Sequence, residues 1–139
     1  MIKKARSLKL KNSIFMVKDI LKYNSSEKYD AIIAFDSLWH IEYSSQTQIY
    51  KILSNLLKKN GYLIFTHGKK DSIVISEMFG EKFYYSALDI EMVLTLLKQN
   101  GFTIITLIEN YEEETTGNRD LLIIAKKFSW PINIWMILF

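Results

Sequence analysis

The chain has 139 residues, of which 49% are hydrophobic and 24% charged, and it contains no cysteine. This composition fits one globular domain with a sizeable core, and it excludes a disordered chain, a collagen-like repeat, a disulfide scaffold and a thiolate metal site. All five glycines lie after residue 60, so the first sixty residues contain no glycine-rich phosphate-binding loop.

The net charge of +3 is unevenly spread, because residues 1–28 carry +6 and residues 29–139 carry −3. A basic segment can bind nucleic acid or anionic lipid. No aromatic-plus-arginine pattern accompanies it here, so we interpret it as a solvated lysine-rich surface and predict no nucleic-acid partner. The polar start MIKKARSLKLKNS does not resemble a signal peptide and predicts a cytoplasmic protein.

The first half of the chain predicts two helices and two strands. Residues 2–10 have the spacing of a short amphipathic helix, and residues 14–17 (IFMV) and 29–35 (YDAIIAF) are apolar runs typical of strands buried on both faces. From Ile49 the apolar spacing becomes helical as far as Leu57. Ser44 or Ser45 can cap this helix, and Asn60-Gly61 is expected to end it.

The second half predicts a strand at 62–66, a loop at 67–85 and a helix that ends at Gly101. Ser86 is the predicted N-cap of this helix, with Asp89 three residues later. Residues 102–108 and 121–126 are predicted strands, and their short polar connection makes them antiparallel neighbours. The pattern therefore predicts an α/β domain with a mainly parallel sheet and an antiparallel final hairpin.

The last twelve residues, 128–139 (FSWPINIWMILF), are uncharged and mostly apolar. A membrane-spanning helix needs about 20 apolar residues, so no membrane span is predicted. We interpret the segment as an apolar C-terminal tail that follows a domain of residues 1–127.

Five segments, in this order, resemble the class I S-adenosylmethionine-dependent methyltransferases over roughly residues 2–127. The segments are FMVKDI, YDAIIAFDSLWHI, ILSNLLKKNGYLIFTHG, FYYSALDIEMVLTLLKQNGF and LLIIAKK. The resemblance implies a Rossmann-like methyltransferase fold with the strand order 3-2-1-4-5-7-6. It also implies a partial, N-terminally truncated domain, because the family's first two strands and its glycine-rich cofactor loop have no counterpart in this sequence.

The resemblance implies S-adenosylmethionine as the cofactor and a small molecule as the methyl acceptor. It places Asp19 on the adenine amino group, Ile20 on the ring face, and Ala34, Phe35 and Leu38 against the methionine portion. An aspartate at position 19 could instead be a solvated cap, and Leu38 could be plain core.

His40 is the candidate catalytic residue. Methyl transfer is an in-line displacement, so a base helps only where the acceptor must lose a proton. A structural or substrate-lining role for His40 is the alternative. Trp39, His67 and Tyr84, or Tyr85, are candidate substrate-binding residues, because aromatic faces suit a sulfonium, although such residues also serve as core. Two histidines without cysteine predict no metal site.

Three functions follow from these observations. The first is a methyltransferase whose activity is impaired or incomplete in this chain alone. The second is a non-catalytic methyltransferase-like remnant that acts as an interaction or oligomerisation module, suggested by an unpaired strand edge at 14–17 and by the apolar tail. The third, a nucleic-acid binder, ranks last. A homo-oligomer and a complementing chain both stay open as partners.

Overall fold

The computed structural model describes residues 2–115 and 117–128. Its three helices are α1 (Ile2–Ser7), α2 (Gln46–Leu56) and α3 (Ile90–Gln99). Its six strands are β1 (Tyr29–Ala34), β2 (Leu57–His67), β3 (Ser72–Met78), β4 (Glu81–Ala87), β5 (Phe102–Glu113) and β6 (Gly117–Lys127). Single-turn 3₁₀ helices occupy Ile20–Lys22, Leu38–His40 and Tyr43–Ser45.

Four strands form the central sheet in the order β1-β2-β6-β5. β1 is parallel to β2, and β6 is antiparallel to both β2 and β5, so β1, β2 and β5 run in the same direction. This confirms the mainly parallel sheet with an antiparallel final hairpin. The order also matches the 4-5-7-6 part of the strand order that the resemblance implies.

The hydrophobic core lies between one face of this sheet and the helices α2 and α3. Leu63 and Phe65 alternate along β2 towards this core and pair in register with Ala125 and Ile123 of β6. The helices contribute residues at the spacing expected of a buried stripe, namely Ile49, Tyr50, Leu53, Val93 and Leu97. Residues that alternate with these strand positions, such as Ile33 and Tyr62, face away from that core and are exposed.

The predicted strand at 14–17 is wrong. Its residues form no strand, and Ile14 and Val17 are 86% and 76% exposed. A strand needs hydrogen-bond partners along its edge, and no strand among residues 2–115 and 117–128 lies beside this segment. Helix α1 is also shorter than predicted, because it ends at Ser7 and Lys9 has a positive φ of 46°.

The predicted loop at 67–85 is in fact largely a β-hairpin. β3 and β4 pair antiparallel as a separate two-stranded sheet, joined by Phe79 and Gly80. Both turn residues have positive φ, 56° and 77°, which suits the tight turn between twisted strands. The sequence gives no Asn-Gly or Asp-Gly signal at this turn, and the apolar residues of β3 do not alternate.

The structure also corrects two predicted helix ends. Ser86 is buried in β4, and the N-cap of α3 is Asp89, whose carboxylate accepts from the Glu91 amide at 2.9 Å. α2 ends at Leu56, so Asn60-Gly61 lies inside β2 and does not end the helix.

The predicted tail begins at Phe128, whose amide donates to the Gly101 carbonyl oxygen at 2.7 Å. The rest of that prediction, residues 129–139, lies outside the described residues, so the division at residue 127 stays a prediction. None of the helices in the described part of the chain has both the length and the apolar character needed to cross a membrane.

Candidate functional site

A pocket of about 260 Å³ opens where β1 and β2 end. His67 is the last residue of β2, and Trp39 lies in the turn of helix that follows β1. Tyr85 comes from β4, while Arg119 and Asp120 come from the start of β6; the remaining lining residues are Gly68, Ser72, Ser86, Ala87 and Asn118. Ligands of open α/β sheets bind outside the carboxyl ends of the strands, and this pocket has that position.

A carboxylate–guanidinium pair lies beside this pocket. Asp36 follows the end of β1 with a φ of 48°, and both of its oxygens accept from Arg119, one of them from Nε at 2.8 Å. Thr66 Oγ1 donates to the same carboxylate at 3.1 Å and accepts from the Asp36 amide at 2.9 Å. The hydrogen bonds from Arg119 hold the pKa of Asp36 below its ordinary value. The pair therefore ties the end of β1 to the start of β6.

His67 is buried and lines the pocket. Its Nδ1 lies 2.8 Å from the Gly68 carbonyl oxygen, which can only accept, so Nδ1 donates. Burial lowers the pKa of His67, and the hydrogen bond to Gly68 offsets this effect only in part. His67 is therefore neutral near pH 7, and its Nε2 carries a lone pair that can accept a hydrogen bond from a ligand.

His40, the candidate catalytic residue, lies outside the lining of this pocket. It is exposed, and its Nδ1 donates to the Tyr84 carbonyl oxygen at 3.1 Å. Its ring centroid is 5.0 Å from that of Tyr85. Tyr84 also does not line the pocket, and its hydroxyl oxygen accepts from the Tyr43 amide at 3.1 Å. These contacts hold the β3–β4 hairpin against the segment after β1.

The five predicted cofactor residues lie apart from the pocket lining. The carboxylate of Asp19 accepts from the Leu21 amide at 3.0 Å, which is the capping alternative raised above, and Ile20 is half-buried against the core. Ala34 is half-buried at the end of β1. Phe35 is 41% exposed, in edge contact with the Tyr111 ring, and Leu38 is buried in the core.

The structure thus brings Trp39, His67 and Tyr85, which is the alternative to Tyr84 among the predicted substrate-binding residues, into one pocket. Sequence reasoning missed Asp36, Arg119 and Asp120. Asp36 could have been found, because a polar residue at the carboxyl end of a buried strand is a typical site position. Arg119 has no local signal, since 83 residues separate it from Asp36.

Among residues 2–115 and 117–128, Asp19 lies at the start of a single 3₁₀ turn and does not follow a strand. Asp19 is engaged in capping, residues 14–17 form no strand that would position it, and no glycine precedes Gly61. A turn that brings its backbone close to a ligand depends on glycine. The same described residues hold no cluster of three or more histidine, aspartate or glutamate side chains placed to bind a metal ion.

Comparisons with known structures agree with the fold. A S-adenosylmethionine-dependent methyltransferase from Clostridium acetobutylicum is 20% identical with a TM-score of 0.64, and the match covers 91% of this chain and 69% of that one. For a protein from Pyrococcus horikoshii the identity is 24% and the TM-score 0.67, with 91% and 66% covered. A third similar structure is the 1,6-didemethyltoxoflavin-N1-methyltransferase of Burkholderia thailandensis, solved with 1,6-didemethyltoxoflavin and S-adenosylhomocysteine. It is 15% identical with a TM-score of 0.62, and the match covers 83% of this chain and 51% of that one.

No curated protein sequence matches the chain. The family model described as a methyltransferase domain matches residues 1–116, which is most of the chain. S-adenosylmethionine is the cofactor of the class I methyltransferases, whose strand order the central sheet reproduces in part. The chain therefore belongs to the methyltransferase-domain family and has the Rossmann-like fold of the class I S-adenosylmethionine-dependent methyltransferases.

Proposed function

We propose that this protein takes part in S-adenosylmethionine-dependent methyl transfer to a small molecule, and that it holds the acceptor in the pocket lined by Trp39, His67 and Arg119. The observation that carries the proposal is the pocket's position at the carboxyl ends of β1 and β2. Its volume of about 260 Å³ suits a small ligand, or part of a larger one.

The groups around the pocket favour an acceptor with an N–H or O–H group. Asp36 neutralises Arg119, whereas the carboxylate of Asp120 keeps its negative charge and accepts from the Lys69 amide at 3.1 Å. His67 offers Nε2 as an acceptor, and the rings of Trp39 and Tyr85 supply flat apolar walls. The 1,6-didemethyltoxoflavin bound to the Burkholderia enzyme supports a small-molecule acceptor.

Cofactor binding by this chain alone is proposed to be weak. Asp19, Ile20, Ala34, Phe35 and Leu38 are the proposed cofactor contacts, and the glycine-rich turn that would complete them is absent from the sequence. A complementing chain is one source of those contacts. A cytoplasmic location is part of this proposal.

Calorimetric titration of the full chain with S-adenosylhomocysteine tests the proposal. Binding in the millimolar range is expected, and it should weaken in Asp19→Asn. Asp30→Asn is the matched control, because Asp30 is an exposed aspartate on β1 whose contact is an ion pair with Lys58. The absence of any heat at millimolar ligand would contradict cofactor binding by this chain.

The second candidate function is a non-catalytic interaction module. The observation that favours it is the exposed apolar face of the central sheet, where Ile33 is 67%, Ile105 52% and Ile108 40% exposed. Such a module would bind neither S-adenosylhomocysteine nor a small acceptor. Ligand-induced protection of the pocket amides in hydrogen exchange would exclude it, whereas unchanged exchange at millimolar ligand would favour it.

A further inference from the structure

The β3–β4 hairpin exposes one of its two edges. All seven residues of β3 are exposed, and Ile73, Val74 and Ile75 are 60%, 49% and 67% exposed. On the other side of the hairpin, His40 Nδ1 donates to the Tyr84 carbonyl oxygen, so the outer edge of β4 is in contact with the segment after β1. Within the described residues β3 pairs only with β4. Two-stranded hairpins are marginal alone, and an exposed apolar edge is a template for another strand.

The sequence of β3 is palindromic about Val74. Residues 72–76 read Ser-Ile-Val-Ile-Ser in both directions. Side chains alternate between the two faces of a strand, so Ser72, Val74 and Ser76 share one face while Ile73 and Ile75 share the other. The strand thus presents the same order of polar and apolar groups from either end.

This symmetry fits antiparallel pairing of β3 with a second copy of itself. A two-fold axis normal to the sheet keeps each side chain on its own face, and it therefore places one residue opposite its own copy. With Val74 on the axis, Ile73 lies opposite Ile75 of the second copy, and Ser72 lies opposite Ser76. Within residues 72–76 every pair then matches apolar with apolar or polar with polar, which is how cross-strand pairs stabilise a sheet. Glu77 would face Asp71 of the second copy, but Asp71 precedes β3 and its carboxylate accepts from the Asp89 amide at 2.6 Å, so the strand pairing ends at Ser72.

Neighbouring registers lack this match. An axis at Ile75 would place Ile73 opposite Glu77 of the second copy, and an axis at Ser76 would place Ile75 opposite Glu77. Both arrangements bury apolar side chains against a carboxylate. The register centred on Val74 avoids these pairs.

We propose that this protein forms a homodimer through antiparallel pairing of β3 about Val74, which joins two hairpins into one four-stranded sheet. The inference does not rest on the proposed function, although Ser72 at the start of β3 also lines the pocket. A single strand pair buries less area than a standard interface, so the dimer is weak and reversible. It pairs the backbone groups of the exposed β3 edge and brings isoleucine side chains of the two copies next to each other.

Sedimentation velocity and light scattering of the full chain, between about 5 and 200 µM, test the proposal, because weak interfaces associate in the micromolar range. The unmodified chain should show a reversible monomer–dimer equilibrium. Val74→Lys places two like charges opposite each other on the axis and should weaken the dimer about tenfold or more. Ile33→Lys is the matched control, an exposed isoleucine changed in the same way on β1, and it should leave the equilibrium unchanged.

A charge-pair experiment tests the register. S72K/S76K and S72E/S76E should each be monomeric, because like charges face each other twice in either dimer. Mixed in equal amounts, the two variants should associate again, because every facing pair is then Lys with Glu. Far-UV circular dichroism checks that each variant is folded.

Three results would overturn the proposal. They are a monomer throughout the concentration range, a dimer that Val74→Lys leaves intact, and a mixture of the two charged variants that stays monomeric. A dimer lost in Ile33→Lys but kept in Val74→Lys would place the interface on β1.

Discussion

Residues 14–17 and residues 29–35 are both short apolar runs, and an aspartate follows each of them, yet only the second run forms a strand. In the first run Ile14 and Val17 are largely exposed. In the second run β1 lies parallel to β2 from Tyr29 to Ala34. The difference shows that apolar character alone does not make a strand.

The second run forms a strand because a later segment of the chain pairs with it. α2 follows β1 and packs on the sheet, and β2 then pairs with β1 in parallel, as a strand–helix–strand crossover does. The first run has no such neighbour in residues 2–115 and 117–128. The aspartates differ in the same way, since Asp36 binds Arg119 of β6 whereas Asp19 caps its own turn.

The largest expected effect is on the free energy of unfolding, which a substitution in the sheet should lower far more than a substitution in the first run. Phe65→Ala removes a ring that is fully buried between the sheet and the helices, and it should lower the free energy of unfolding by about 3–5 kcal/mol. Ile14→Ala should change it by less than about 0.5 kcal/mol, because Ile14 is 86% exposed. Urea unfolding followed by circular dichroism measures both. Similar losses in the two variants would show that residues 14–17 pack on the core.

A smaller effect is expected at the ion pair beside the pocket. Arg119→Ala leaves the Asp36 carboxylate without its two charged hydrogen bonds and should lower the free energy of unfolding, although water can replace part of the lost contact because Asp36 is 37% exposed. Arg119→Lys should restore only part of this loss, because an ammonium cannot bind both oxygens as a planar fork does.

The control for that pair is Lys58→Ala, which breaks an exposed ion pair with Asp30 and should cost less than about 1 kcal/mol. Equal losses in Arg119→Ala and Lys58→Ala would mean that the pair between β1 and β6 contributes no more than a surface contact.

The burial of His67 makes the stability of the fold depend on pH. Because burial lowers the pKa of His67, the unfolded chain binds this proton more readily than the folded chain does. The stability that depends on a neutral His67 is complete above the unfolded pKa of about 6.5 and decreases as the pH falls below it. Unfolding midpoints between pH 8 and 5 measure this decrease. His67→Asn should flatten it, and His40→Asn is the control at an exposed histidine.

The depressed pKa of Asp36 acts in a separate, more acidic range. The stability that Asp36 contributes is complete above the ordinary aspartate pKa. It is lost as the pH falls through the lower pKa of Asp36 in the folded chain. A decrease in stability between pH 7 and 5 that survives His67→Asn would therefore contradict the assignment to His67.

Much of the fold could be predicted because several elements carry their own periodic pattern. α2 and α3 have helical apolar spacing, and β1, β2, β5 and β6 are apolar runs that find partners. The hairpin could not be predicted in this way, because all of β3 is exposed and therefore shows no burial pattern. Its turn residues, Phe79 and Gly80, also lack the usual sequence signal.

The candidate site was predictable only in part. Trp39 and His67 are predicted from their rings, which suit a sulfonium, and both line the pocket because Trp39 follows β1 and His67 ends β2. The pairing of Asp36 with Arg119 depends on β6 inserting next to β2, and that order is a property of the whole sheet. Polar contacts between distant parts of a chain therefore need the topology before they can be inferred.

The smallest effect is expected at the aspartate of the first run. Asp19→Ala removes one capping hydrogen bond of 3.0 Å at a half-exposed carboxylate and should cost about 0.5 kcal/mol, near the lower end for a cap. Asp19→Ser keeps a capping oxygen and should restore stability, whereas Lys22→Ala should have no measurable effect, because its ion pair with Asp19 is exposed. A loss in Asp19→Ala as large as that in Arg119→Ala would mean that the two aspartates support the sheet equally, and the contrast between the two runs would then fail.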